Sequence, residues 1–253
     1  MTAGRAETTW ATLEAARSDP VGAFAPSTLE GLPEPAQRLL RTALPAATPL
    51  VGAVEIEMRG EIELVGRWLP FHARQILRAG VGFVWAPVVG GRIIRFVGAD
   101  SLGPAGAGME FRLHGRIPVV RASGPDIVRS AAGRLAAETV AWLPHALTPQ
   151  AGAVWRPLDA DRATVSLPGP SGPIDVDVTV DDAGDLAGIE LQRWNSSAKP
   201  PAFAPFGGAI TDNFDVGGVR IAGRGSVGWD RGMPTEQDGV FFRYDVTSAR
   251  FTG

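Results

Sequence analysis

The stretch Ser123–Leu147, SGPDIVRSAAGRLAAETVAWLPHAL, decides how the rest of the chain is read. It is the one long helical pattern in a sequence whose other segments mostly alternate with the period of strands. Ser123 is placed to act as N-cap, with Asp126 three residues on in a capping-box position. Pro125 suits the first turn, where a missing N–H costs little. Pro144 disfavours helical backbone at Leu143, so a helix over 123–143 is expected, ending near Trp142. At about 100° per residue, Ile127, Ala131, Leu135, Glu138 and Trp142 share one apolar arc. Arg129, Ser130, Gly133, Arg134, Ala137 and Ala141 lie opposite. That back is small rather than charged, so cover on more than one side is expected. Glu138, at the edge of the arc and one turn after Arg134, is either half of an ion pair at i,i+4 or a carboxylate facing an internal cavity.

On both sides of this helix the period is two. Val54, Ile56 and Met58 alternate with Glu55 and Glu57, and Gly60 reads as a turn before Glu61–Leu64. Residues 68–77, 81–89, 92–97 and 109–113 continue the series, separated by Gly80, Gly90-Gly91 and the run GPAGAG at 103–108. After the helix come residues 153–156, 163–167 and 174–180. The last, IDVDVTV, alternates most cleanly and is followed by the hairpin turn Asp181-Asp182-Ala183-Gly184. A return strand, 185–194, leads to the Pro-rich segment 195–207, which reads as a mobile loop or lid. Strands over 212–216, 219–221, 226–229 and 240–246 complete at least ten. Short strands joined by tight turns form an antiparallel meander. The absence of βα alternation, of a strand–GxGxxG–helix unit and of a Walker A motif argues against a nucleotide-binding parallel sheet.

The expected architecture is mainly β (α+β). A long, strongly curved antiparallel sheet over 48–253 forms a half-barrel. The helix is inserted midway as a plug on its concave face, because a sheet of this length must curl. Residues 1–47 form a helical lead-in, with helices over 7–18 and 34–44. Each is too short to fold alone, so the chain reads as a single domain.

Composition narrows the function. The 253 residues carry a net charge of −3, which argues against general nucleic-acid binding. Of the 24 basic residues only Lys199 is lysine, which fits a GC-rich coding bias better than a phosphate-binding adaptation. The chain has no cysteine, which excludes disulfides, thiolate metal sites and cysteine nucleophiles. The start, MTAGRAETTW, has no apolar signal core, and no run approaches the ~18 apolar residues of a membrane helix. A cytoplasmic protein is therefore expected, with no transmembrane segment.

The order WLPF-ARQ (68–75), GFVW (82–85), Asp100 before the Gly-rich run, RLHGRIPVV (112–120), the helix, the Asp-Asp-x-Gly hairpin, RW (193–194), PFGG (205–208) and FFRYDVT (241–247) resembles a bacterial family of proteins of unknown function. That family in turn is distantly similar to the lipoprotein-carrier (LolA/LolB-like) fold. The resemblance implies a curved sheet holding helices around a cavity for a hydrophobic ligand; the chain departs from those carriers in lacking their secretion signal.

Few residues stand out for chemistry. His72, His114 and His145 share no ligand spacing, so no metal site is expected, and nothing calls for a cofactor. No serine sits in a GxSxG elbow. Asp100 reads as an Asx-turn residue or as a carboxylate at the mouth of the sheet. Arg74, Arg193 and Arg243, each flanked by apolar or aromatic residues, need a carboxylate partner or an anionic ligand if they face inward. Trp68, Phe71, Trp85 and Trp142 are candidate cavity walls. Three functions compete, one of them a structural partner whose exposed face binds another protein. The first is a binding or carrier protein for a hydrophobic small molecule or lipid, held by Trp68, Phe71, Arg74, Trp85, Trp142, Arg193 and Arg243. The second is an isomerase, cyclase or hydrolase acting in the same cavity, with Asp100, Glu138 or His114 as acid or base.

Overall fold

The computed structural model describes residues 4–16, 19–169 and 172–253. The inserted helix, α3, spans Pro125–Trp142. Before it run α1 (Arg5–Ala15), α2 (Glu34–Ala43) and six strands: β1 (Ala53–Leu64), β2 (Arg67–Arg78), β3 (Gly82–Gly90), β4 (Arg95–Gly103), β5 (Gly106–Leu113) and β6 (Ile117–Ser123). After it come β7 (Val154–Pro157), β8 (Arg162–Leu167), β9 (Ile174–Val180), β10 (Leu186–Asn195), β11 (Ala202–Val216), β12 (Val219–Trp229), a single-turn helix α4 (Glu236–Gly239) and β13 (Val240–Thr252). The expected helical residues 17 and 18 lie outside the described residues.

All thirteen strands form one antiparallel sheet in the order β6-β5-β4-β3-β2-β1-β13-β12-β11-β10-β9-β8-β7. The chain starts in the middle of the sheet and works out to one edge. Helix α3 then carries it across to the other edge, and it works back until β13 pairs with β1. This path forces the curl. From β6 to β9 is ten strand spacings, about 48 Å if laid flat. Yet α3, with 18 residues and so about 27 Å long, touches β6, β5, β4, β3 and β2 on one side and β12, β10 and β9 on the other. Only a sheet wrapped around the helix allows that. Its edges β6 and β7 do not pair, so it stays open.

The alternation along each strand sorts the side chains between two faces. Leu69, Phe71, Ala73, Gln75 and Leu77 of β2 point to the concave side, in register with Ile62, Gly60, Met58, Ile56 and Val54 of β1. The main core fills this side, with α2 and α3 packed into it. Helix α1 instead covers the convex face, where Leu13 joins Ile76 and Val84 in a small second cluster.

Four local expectations are corrected. Ser123 belongs to β6; Gly124, with φ 113°, occupies the N-cap position, and no side chain caps the helix. Gly60 makes no turn: β1 runs straight through it, and a Cβ there would lie 1.9 Å from the Arg243 carbonyl oxygen of β13, so the glycine permits a close strand approach. The segment 195–207 is no long loop, because β10 and β11 extend through most of it and leave a short connection over 196–201. Asp100 lies within β4, its side chain directed to the concave face, rather than in a turn.

Candidate functional site

From Leu69 to Leu77 of β2, and along β3 and β4, the inward phase is apolar except at Gln75 and Asp100, which flank Trp85 in register. Helix α3 lays Arg134 and Glu138 against them. Arg134 donates from Nε to Glu138 Oε1 at 2.6 Å and from Nη1 to Asp100 Oδ2 at 2.8 Å. Its guanidinium also sits 4.6 Å from the Phe83 ring centroid and 5.3 Å from that of Trp85. Gln75 Nε2 donates to the other Glu138 oxygen at 2.6 Å. The ion-pair reading of Glu138 holds: it is the i,i+4 partner of Arg134, and its side chain is only 13% exposed. Burial pushes its carboxyl above the ordinary range, opposed by Arg134 and the Gln75 amide. Burial works against the charge on Arg134, but its two carboxylates outweigh this and raise its pKa.

Arg193 of β10 is treated differently. Its Nε donates to the Ser130 carbonyl oxygen at 3.0 Å, and its guanidinium lies 4.4 Å from the Phe206 centroid and 5.5 Å from that of Trp229. Among the described residues no carboxylate pairs with it and its two terminal nitrogens have no hydrogen-bond partner. The side chain is half-buried. Desolvation, with the nearby Arg134 adding to it, lowers its pKa to about 10, only partly offset by Asp100 and Glu138. Gly133 makes room for it: a Cβ on that helix position would come 3.0 Å from Arg193 Cγ. The small back of α3 is therefore what lets β10 approach.

Phe71, Trp85 and Trp142 also face the concave side. Phe71 stacks on Phe242 at 4.9 Å and meets Trp85 edge-on at 5.7 Å, while Trp142 donates to the Ala222 carbonyl and meets Tyr244 edge-on. Trp85 Nε1 and Gln75 Oε1 are buried without a partner. Tyr244, the only tyrosine, is buried too; desolvation and then Glu138 raise its pKa. Gln75 and Tyr244 escaped notice in the sequence, although each is a polar residue in the inward phase of an apolar strand, which is the signal that finds them.

The strand phase takes other candidates away from this face. Trp68, Arg74 and Arg243 belong to the convex side. Arg243 lies 4.2 Å from the Trp68 centroid and 3.9 Å from Glu61, and Arg74 lies 5.2 Å from the Trp10 centroid of α1. His72 shares that face. His114 is exposed in the β5–β6 turn with φ 51°, its N–H bonded to the Arg95 carbonyl, about five residues (~17 Å) along β4 from Asp100. His145, just after α3, is buried 4.5 Å from the Phe251 ring, and desolvation lowers its pKa to about 4. No cluster of potential metal ligands occurs among the described residues.

The two best-formed hollows measure about 20 and 10 Å³, room for about one water each, and neither lies beside Arg134. The concave face is less completely covered toward the β1–β2, β3–β4 and β5–β6 turns, where the inward residues Ile62, Leu69, Phe96, Phe111 and Phe242 are only half-buried.

A family described as "Family of unknown function (DUF6544)" matches residues 22–243. The chain belongs to this family. Among solved structures, this DUF6544 member is similar to a DUF1329 family protein from Desulfovibrio piger, at 12% identity over 92% of this chain and 94% of that one, with a TM-score of 0.43. It is also similar to a putative outer membrane lipoprotein-sorting protein domain from Vibrio parahaemolyticus (11% identity, 79% and 85% covered, TM-score 0.40). A LolA superfamily protein from Nitrosomonas europaea gives 8% identity, 87% and 92% covered, and a TM-score of 0.44. No curated protein matches the chain.

Proposed function

We propose that this DUF6544 protein binds or carries a hydrophobic small molecule or lipid with an acidic headgroup, on the concave face of the sheet. The observation that carries this reading is Arg193. A half-buried guanidinium lying against the Phe206 and Trp229 rings, with terminal nitrogens free and no carboxylate of its own, suits a bidentate carboxylate or phosphate. Arg134 beside it takes the direct hydrogen bonds of both Asp100 and Glu138, so Arg193 feels these carboxylates only at a distance and keeps its terminal N–H groups unpaired. The half-buried apolar residues of β1, β2, β4, β5 and β13 supply a surface for the hydrocarbon part. The carboxylates are engaged in holding Arg134, which favours binding over acid–base chemistry as their role.

The test compares a long-chain fatty acid with the corresponding alcohol, by quenching of tryptophan fluorescence. The acid should bind at least about tenfold more tightly, as expected of a hydrogen-bonded charge pair. Arg193→Gln should erase that preference while leaving alcohol binding intact. Equal binding of acid and alcohol by the unaltered protein would remove the role given to Arg193. Binding of neither would remove the carrier reading.

A further inference from the structure

The three turns β1–β2, β3–β4 and β5–β6 lie at one end of the sheet, because consecutive antiparallel strands return their alternate turns to the same side. Each tip pairs exposed aliphatic side chains with arginine: Val65-Gly66-Arg67, then Arg92-Ile93-Ile94-Arg95, then Arg116-Ile117. Val65 is fully exposed and Ile93 is 89% exposed. Folding gains nothing from aliphatic side chains held out in water at the ends of hairpins. Among the described residues, none of Arg67, Arg92, Arg95 and Arg116 has an ion-pair partner, and no tip contains a carboxylate. The nearest acids along these strands are Glu61, Glu63 and Glu110: Glu63 lies one strand pair inside the β1–β2 turn but in the opposite phase to Arg67, and Glu61 and Glu110 are already paired with Arg243 and with Arg112 and Arg121. This cationic end belongs to a chain whose net charge is −3, so the positive charge is local.

We infer that these three tips dock the protein on an anionic lipid surface, with Val65, Ile93, Ile94 and Ile117 entering the headgroup layer and the four arginines meeting lipid phosphates. Isolated aliphatic points flanked by guanidinium groups suit a fluid interface, where each point finds its own depth. They do not form the continuous packed patch that a folded protein partner needs. The neighbouring β12–β13 connection, with Asp230, Glu236 and Asp238 against Arg231, carries net negative charge, so the contact is confined to the β1–β6 wing.

Co-sedimentation with vesicles tests this. Vesicles of phosphatidylcholine with a quarter phosphatidylglycerol should retain the protein at low salt, and pure phosphatidylcholine should not. Each Arg→Gln change among the four should weaken binding about fivefold. Ile93→Asp with Val65→Asp should abolish it while circular dichroism stays unchanged, since both sites are exposed. Arg193→Gln should dock normally, which separates this contact from headgroup capture on the concave face. Equal retention by both vesicle types, retention that survives Ile93→Asp combined with Val65→Asp, or tips that instead bind an acidic protein in the absence of lipid would overturn the inference.

Discussion

The two faces of the sheet use arginine in opposite ways. On the convex face Arg243, Arg250 and Arg224 pair with Glu61, Glu55 and Asp245 across neighbouring strands, and all three arginines are more than half exposed. In water such pairs contribute at most about 1 kcal/mol, because solvent screens the attraction and two long side chains must be immobilised. On the concave face Arg134 is 17% exposed, with Asp100 at 9% and Glu138 at 13%. There the charges have lost their water, and each depends on the others. The same residue type is thus a solubility device on one side and a structural keystone on the other, and the half-paired Arg193 stands out only against the second background.

The largest expected effect sharpens this contrast. Glu138→Ala should destabilise the protein by about 3 kcal/mol in chemical denaturation, at the lower end for a broken buried pair because Asp100 remains with Arg134. Stability unchanged by this substitution would show that the concave network is as dispensable as the convex one.

A second difference should appear on acidification. The His145 pKa falls from 6.5 to about 4 on folding, so between these values the unfolded chain binds a proton that the native state refuses. Stability is therefore fully present above pH ~6.5 and declines as pH falls to ~4, by roughly 3 kcal/mol in all. Replacing His145 by Asn should flatten that part of the stability–pH curve; a curve with unchanged slope would place the acid sensitivity elsewhere.

The smallest effect is the control. Glu61→Gln on the convex face removes a 3.9 Å ion pair whose members are both at least half exposed, and should change the denaturation midpoint by less than about 0.5 kcal/mol equivalent. A loss comparable with that of Glu138→Ala would erase the distinction between the faces.

How much of this was legible beforehand follows from period and range. The inserted helix, the antiparallel series and the Asp181–Gly184 hairpin could be read because each rests on local alternation, on a proline or on a turn residue. Strand phase was partly legible too: Phe71 and Gln75 share a face with Leu77, and Trp68 and Arg74 take the other. Their aromatic and cationic character nevertheless suggested a shared cavity, and the phase separates them. Gly60 looked like a turn because a glycine's reason for being there can lie on another strand, here the Arg243 carbonyl. Asp100 looked like a turn residue because short polar side chains favour turns locally, while its actual partner, Arg134, comes from a helix 34 residues away.

By itself, then, the sequence determined the elements, the antiparallel class and the single long helix between two runs of strands, since these depend on side-chain period and backbone restriction within a few residues. Only the tertiary structure decided that the first and last strands pair at the centre of the sheet and that α3 spans its curl. The same holds for the neutralisation of Arg134 by Asp100 and Glu138 while Arg193 has no carboxylate partner. Charge pairing and desolvation are set by groups distant in the chain, and their energies exist only once the sheet has wrapped them out of water.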